Sequence, residues 1–229
     1  PPIIDPPGPL PDLERPSFSI EFSGVEDQEG CAGETHSTTV DCVLVSEGNT
    51  RGQVLGIGNQ GAQAFSFGVT AQGGSITAIS TDGSDAAGLL AGGFETAELT
   101  SGEGNEGAIC GMILSFEQNV TLAISGDSSL ATITVESTIS DGGSVGLSYA
   151  NGLVGGGQPV RNAVTWRGET EAPSLGRASY AVAADTSAPA APAGLSPRPG
   201  TPPSSAPAPP PPAAPPLPFR PPPRPPPPP

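Results

Sequence analysis

Residues 15–28 read RPSFSIEFSGVEDQ. Phe18, Ile20 and Phe22 alternate with Ser17, Ser19, Glu21 and Ser23, the two-residue period of a strand with one face in a core. The preceding leader, PPIIDPPGPLPDLE, cannot join a ladder, because proline lacks the amide donor. An apolar strand on a stiff tether has two destinations, its own chain's sheet or a neighbour's.

Outward from this stretch the same period recurs. FSIEFSG, STTVDCVLVSE, AQAFSFGVTA, SITAISTD, FETAELTS, GAICGMILSFE, VTLAISG, SLATITVEST, GSVGLSYANG and NAVTWRGE are rich in β-branched residues. Turns such as TAQGGS, SGDSS and SDGGS separate them, with the residues that tight reversals need. AAGLLAGGF has room for one helical turn before its glycines break it. These spacings predict an all-β sandwich and exclude an α/β fold.

Proline distribution sets the domain limits. Seven prolines fall in the first sixteen residues, none between Ser17 and Gln158, and 22 from Pro189 onward. The expected organisation is a leader over 1–16, a sandwich over 17–168, a linker over 169–196 and a polyproline II tail over 197–229. At about 3.1 Å per residue the tail extends roughly 100 Å. A body of about 150 residues buries a core without metals or many disulfides.

Charge narrows the partners. Residues 1–176 carry 22 acidic side chains against 4 arginines, a balance of −18, while residues 177–229 carry 4 arginines against Asp185, or +3. So acidic a body repels nucleic acid and anionic lipid. No apolar run is long enough to span a bilayer. The chain starts at Pro1 without a signal-peptide pattern, which reads as a mature or partial product.

Chemistry-bearing residues are few. Gly56, Gly58 and Gly61 have G-x-G-x-x-G spacing, with Asp82 beyond, but a two-residue alternation follows instead of the helix a dinucleotide site requires. His36, the sole histidine, lies in polar GETHSTT without a triad context. Asp82, Asp85 and Asp141 lie in turns and lack the order of a calcium loop. The expectation is no enzyme, no metal and no cofactor. Three cysteines allow one disulfide: Cys31–Cys42 across CAGETHSTTVDC is favoured, Cys42–Cys110 between two strands is the rival, and either fits an extracellular setting.

GAQAFSFGVTA, ITAISTDGS, GGFETAELTSG, GAICGMILSFEQNVTLA and LATITVEST, in that order, resemble a cohesin-like, immunoglobulin-like β-sandwich module of secreted and surface proteins. The resemblance spans residues 36–168 and implies a fold more than a function. Cohesins bind dockerins, and this chain has no dockerin repeat. The tail resembles hydroxyproline-rich glycoproteins, which implies O-glycans on prolines such as Pro210, Pro211, Pro221, Pro222, Pro223, Pro225, Pro226, Pro227 and Pro228. Asn119 heads the one N-glycosylation sequon. Arg220, Pro223 and Pro226 also match the R-x-x-P-x-x-P read by SH3-type grooves.

Two functions follow. In the first, Phe18, Ile20 and Phe22 complete a neighbour's sheet, with Ile3 and Ile4 as a second plug. The chain is then the protomer of an extracellular, pilus-like fibril, a homo-polymer built by donor-strand exchange and decorated with glycans. In the alternative it is a monomeric cohesin-like adhesion or carbohydrate- or protein-binding module on a proline-rich stalk, with Trp166, Tyr149 and Tyr180 as the aromatics for sugar stacking.

Overall fold

The computed structural model describes residues 16–48 and 61–185. Ile3, Ile4, Gly56, Gly58 and the tail prolines named above lie outside the described residues. Two compact units divide the chain at Ala188/Pro189, and the first contains every element described here.

Two sheets carry the fold. The first contains β1 (Ser17–Ser23), β3 (Thr35–Glu47), β5 (Ser75–Ser80), β8 (Ser125–Thr138) and β14 (Ser174–Leu175), in the order β14-β1-β3-β8-β5. The second runs from β13 (Glu169–Glu171) through β12 (Ala163–Trp166), β4 (Ala64–Gln72), β9 (Ser144–Tyr149) and β15 (Arg177–Ala184) to β2 (Gln28–Gly30). On the other side of β4 lie β7 (Gly107–Ile113) and then β6 (Phe94–Thr100). A small hairpin joins β10 (Val154–Gly155) to β11 (Gln158–Pro159). The expected helical turn is α1 (Asp85–Leu89), where the Ser84 hydroxyl accepts from the Ala87 amide as an N-cap.

Alternation fixes which side chains meet. Thr38, Val40, Cys42, Leu44 and Ser46 of β3 face inward. Opposite them are Phe65, Phe67 and Val69 of β4, and Ala108, Cys110 and Met112 of β7. The β4–β5 reversal needs Gly73 at φ +79°, and a Cβ there would strike the Ser144 carbonyl oxygen at 2.2 Å. Gly68 sits where the edge of β4 passes from β12 to β9. Its amide donates to the buried Asn162 Oδ1 at 2.9 Å, its carbonyl accepts from Ala150, and a Cβ would meet the Ala150 oxygen at 2.7 Å.

The destination of β1 corrects the donor-strand expectation. All seven residues pair antiparallel with β3 of the same chain, Phe18 opposite Ser46 and Phe22 opposite Cys42, and Ser19 and Ile20 pair parallel with β14. Phe18 and Ile20 are buried in their own core, at 5% and 0% exposure. The linker boundary also moves. Residues 169–184 form β13, β14 and β15, and Tyr180 and Val182 are buried. VTLAIS forms no ladder of its own before β8 begins at Ser125, although Leu122 and Ile124 are buried.

Ile20→Ala is expected to lower the unfolding free energy by about 2–5 kcal/mol in urea titration, the cost of an unfilled aliphatic site. Deleting residues 1–23 removes one of the two partners of β3, together with Phe18 and Ile20 from the core, and should abolish cooperative unfolding. A truncated chain that unfolds as cooperatively as the full one would refute the placement of β1.

Candidate functional site

The outer face of the second sheet divides in two. Over the end of β4, β9 and β15 it is polar: Thr70, Gln72, Ser148, Arg177 and Ser179, with the Thr70 and Ser148 hydroxyls 3.1 Å apart. Over the start of β4, β6, β7 and β12 it is apolar. Phe94 stands opposite Ile113 in the β6–β7 ladder, Thr96 opposite Gly111, Gly111 opposite Ser66, and Ser66 opposite Ala163. These outward side chains, with Val160 and Thr170, line an open groove of about 310 Å³.

The floor of this groove is Gly111. Its backbone does not demand glycine, because its φ is not in the left-handed region and a Cβ would make ordinary 3.5 Å contacts with Ser66 Cβ and Thr96 Cγ2. Glycine there leaves the groove deep. Phe94 is 53% exposed at its rim. Its strand is held from behind, where the Thr81 hydroxyl donates to the Glu95 carboxylate. The far rim is the β12–β13 hairpin. Arg167 (φ 50°) and Gly168 (φ 79°) make its two-residue turn, the Arg167 guanidinium lies 5.4 Å from the Trp166 ring centroid, and the Thr165 and Thr170 hydroxyls are 2.9 Å apart.

The other sequence-selected residues do not converge on a reactive centre. His36 Nε2 lies 3.8 Å from Glu34 Oε2, a pair on the surface. Asp85 ties α1 to β8 by accepting from the Ser129 amide at 2.8 Å and hydroxyl at 3.0 Å. Among the described residues no group of three His, Cys, Asp or Glu side chains is placed to hold a metal, and no helix is long and apolar enough to cross a membrane. Trp166, Tyr149 and Tyr180 are core residues, at 7%, 9% and 3% exposure, so none offers a face for stacking on sugar. Asn119 is exposed, and its Oδ1 accepts from Gln63 Nε2 at 2.8 Å.

The expected Cys31–Cys42 disulfide is absent: all three cysteines are free, Cys31 exposed, Cys42 and Cys110 buried. Cys31 belongs to the β2 end, where its amide donates to Glu34 at 3.0 Å, whereas Cys42 points into the core. Burial pushes the Cys42 thiol up to about 12, with its side-chain interaction with Tyr149 acting against it, and pushes Cys110 higher still. The Tyr149 phenol is also held far above its ordinary value by burial.

The face now described can be set beside known proteins. No family model matches the chain, and no curated protein sequence matches it. Solved structures similar to it include the third cohesin of ScaC from Acetivibrio cellulolyticus, determined in complex with a ScaB dockerin: 13% identity, 72% of this chain, 99% of that one, TM-score 0.42. The seventh ScaB type I cohesin from Pseudobacteroides cellulosolvens gives 13% identity, 76% and 96% coverage and TM-score 0.41. A cohesin module of a Clostridium perfringens family 33 glycoside hydrolase gives 13%, 74% and 98%, and 0.39. At these scores neither partner nor binding residues transfer. The all-β sandwich stands on the ladders of this chain itself.

The apolar groove was missed in the sequence, and one signal pointed to it. GAICGMI is apolar on both faces: Ala108, Cys110 and Met112 fill the core, while Ile109 and Ile113 lie on the other side. A strand apolar on both faces needs a cover on both.

Raised thiol and phenol values carry a sign. The neutral forms belong to the folded state, so stability is complete below the ordinary 9.0 of the thiols and falls as pH rises toward 12. Urea midpoints measured from pH 7 to 11 are expected to hold until about pH 9 and then drop steeply. A flat profile to pH 11 would contradict the buried placement of Cys42, Cys110 and Tyr149.

Proposed function

We propose that the chain is a non-catalytic protein-binding module whose docking surface is the apolar groove over β6, β7, β4 and β12. The observation that carries this reading is Gly111, an unforced glycine that keeps the centre of a sheet face open between Phe94, Ile113, Ala64 and Ala163. An exposed apolar patch on a strongly acidic domain marks an interaction site more readily than a solvated face does.

The partner this surface fits is a protein segment with an apolar ridge flanked by basic residues. The ridge fills the groove, and the flanks meet a body whose residues 1–176 balance at −18. Sugar recognition is disfavoured because the Trp and both Tyr rings are in the core. The fibril reading loses its physical basis once β1 is satisfied by β3 and β14 of its own chain. An extracellular setting, a glycan on Asn119 of the sandwich and glycans on the tail prolines belong to the proposal, and intact mass of native material tests them.

Titration of the labelled protein with amphipathic basic peptides, and with a type I dockerin, tests the surface. Amide shifts are expected to cluster on residues 64–66, 94–98, 109–113 and 163–165. Phe94→Glu should weaken binding at least about tenfold while leaving the urea midpoint within error, since its ring is 53% exposed, and Gly111→Arg should weaken binding by at least as much by filling the buried floor of the groove. Shifts confined to the polar half of the face, or binding indifferent to both substitutions, would overturn the assignment.

A further inference from the structure

The sandwich carries two thiols buried in its core. Cys42 is on the inner face of β3 in the first sheet, and Cys110 is on the inner face of β7 in the second. Both are fully buried. They share one aromatic cluster: Cys42 pairs in register with Phe22, Cys110 with Phe67, and the rings of Phe22 and Phe67 both touch Tyr149. A bulge adjoins Cys42, where Leu130 of β8 has no partner between the Cys42–Ala131 and Val43–Ser129 pairs. Such an irregularity bends a strand and re-aims its side chain. Both residues belong to the one buried core cluster between the sheets. Cys31 shares none of this and is exposed.

We propose that Cys42 and Cys110 are a disulfide-forming pair that joins the two sheets when the chain folds in the presence of a small-molecule disulfide. The oxidant is glutathione disulfide. The Cys42 thiolate attacks one of its sulfurs and releases one glutathione thiolate, leaving a mixed disulfide. The Cys110 thiolate then attacks the Cys42 sulfur and releases the second. Two protein thiols are oxidised, one glutathione disulfide is reduced, and the two protons end on the two glutathiones.

Timing follows from burial. The thiolate is the nucleophile, and in the closed sandwich Cys42 sits near 12 with Cys110 above it, out of reach of solvent. The bond therefore forms before the sheets close, and the folded protein keeps whichever state it folded in. The bridge encloses the segment from β3 to β7, a long loop whose closure restricts the unfolded chain strongly.

The experiment uses the full chain carrying Cys31→Ser, so that only two thiols remain. One sample is refolded from urea at pH 8 with a glutathione redox couple. A second is folded under reduction and then given the same couple for the same time. The refolded sample is expected to lose two hydrogen atoms in mass, to yield a non-reduced peptide joining Cys42 to Cys110, and to melt at least about 5 °C higher than the reduced form. The pre-folded sample should keep both thiols. A Cys42→Ala/Cys110→Ala control should melt identically from both protocols. Two free thiols, or glutathione adducts, in the refolded sample would overturn the pairing, and rapid bridging of the pre-folded sample would overturn the timing.

Discussion

The fold turns on Tyr149. Its ring stacks on Phe22 with centroids 4.3 Å apart and planes 8° from parallel, and meets the edge of Phe67 at 5.6 Å. Its Oη donates to the Glu21 carbonyl oxygen at 2.8 Å. One side chain from β9 thus holds the first strand of the opposite sheet by stacking and by a hydrogen bond. A buried phenol without such a partner would be costly, so the position of β1 and the burial of Tyr149 require each other. Their union closes the sandwich at its centre and leaves β1 unavailable to a neighbour.

From that closure the division of labour on the second sheet follows. The inner face is committed to the core by Phe65, Phe67, Val69 and Met112, so only the outer face is free to meet a partner. Register then sorts that face. The β4–β7–β6 ladder brings Phe94, Ile113 and Gly111 together, while β4, β9 and β15 bring hydroxyls and Arg177 together. An apolar groove beside a polar apron, on an acidic domain, has the anatomy of a recognition surface.

Much of the sandwich is legible in the chain. Alternation in SFSIEFS, and the inward period of Val40, Cys42 and Leu44 in TTVDCVLV, specify strands whose faces cannot be exchanged without exposing the core. The strands at 169–184 escape notice because β13 and β14 are short, β15 is mostly Ala and Ser, and few of their side chains, such as Tyr180 and Val182, are buried. Their pairing is imposed by neighbours, including a parallel contact of Ala183 with Glu29 that no local pattern announces. The groove escapes for a related reason: Phe94 and Ile113 are nineteen positions apart, and only the register sets them side by side. The surroundings of the cysteines need the same long-range knowledge: proximity in sequence pairs Cys42 with Cys31, whereas the register sets Cys42 and Cys110 beside rings that both meet Tyr149.

Native-state amide exchange of the full chain across a hundredfold dilution tests the intramolecular closure of β1 by Tyr149 most directly. Protection of the Ser19 and Glu21 amides, which face β3 because the Ile20 carbonyl faces β14, should match that of the β3 core and stay the same at every concentration. Protection that vanishes on dilution, while β3 and β8 remain protected, would mean that the strand is held by another chain.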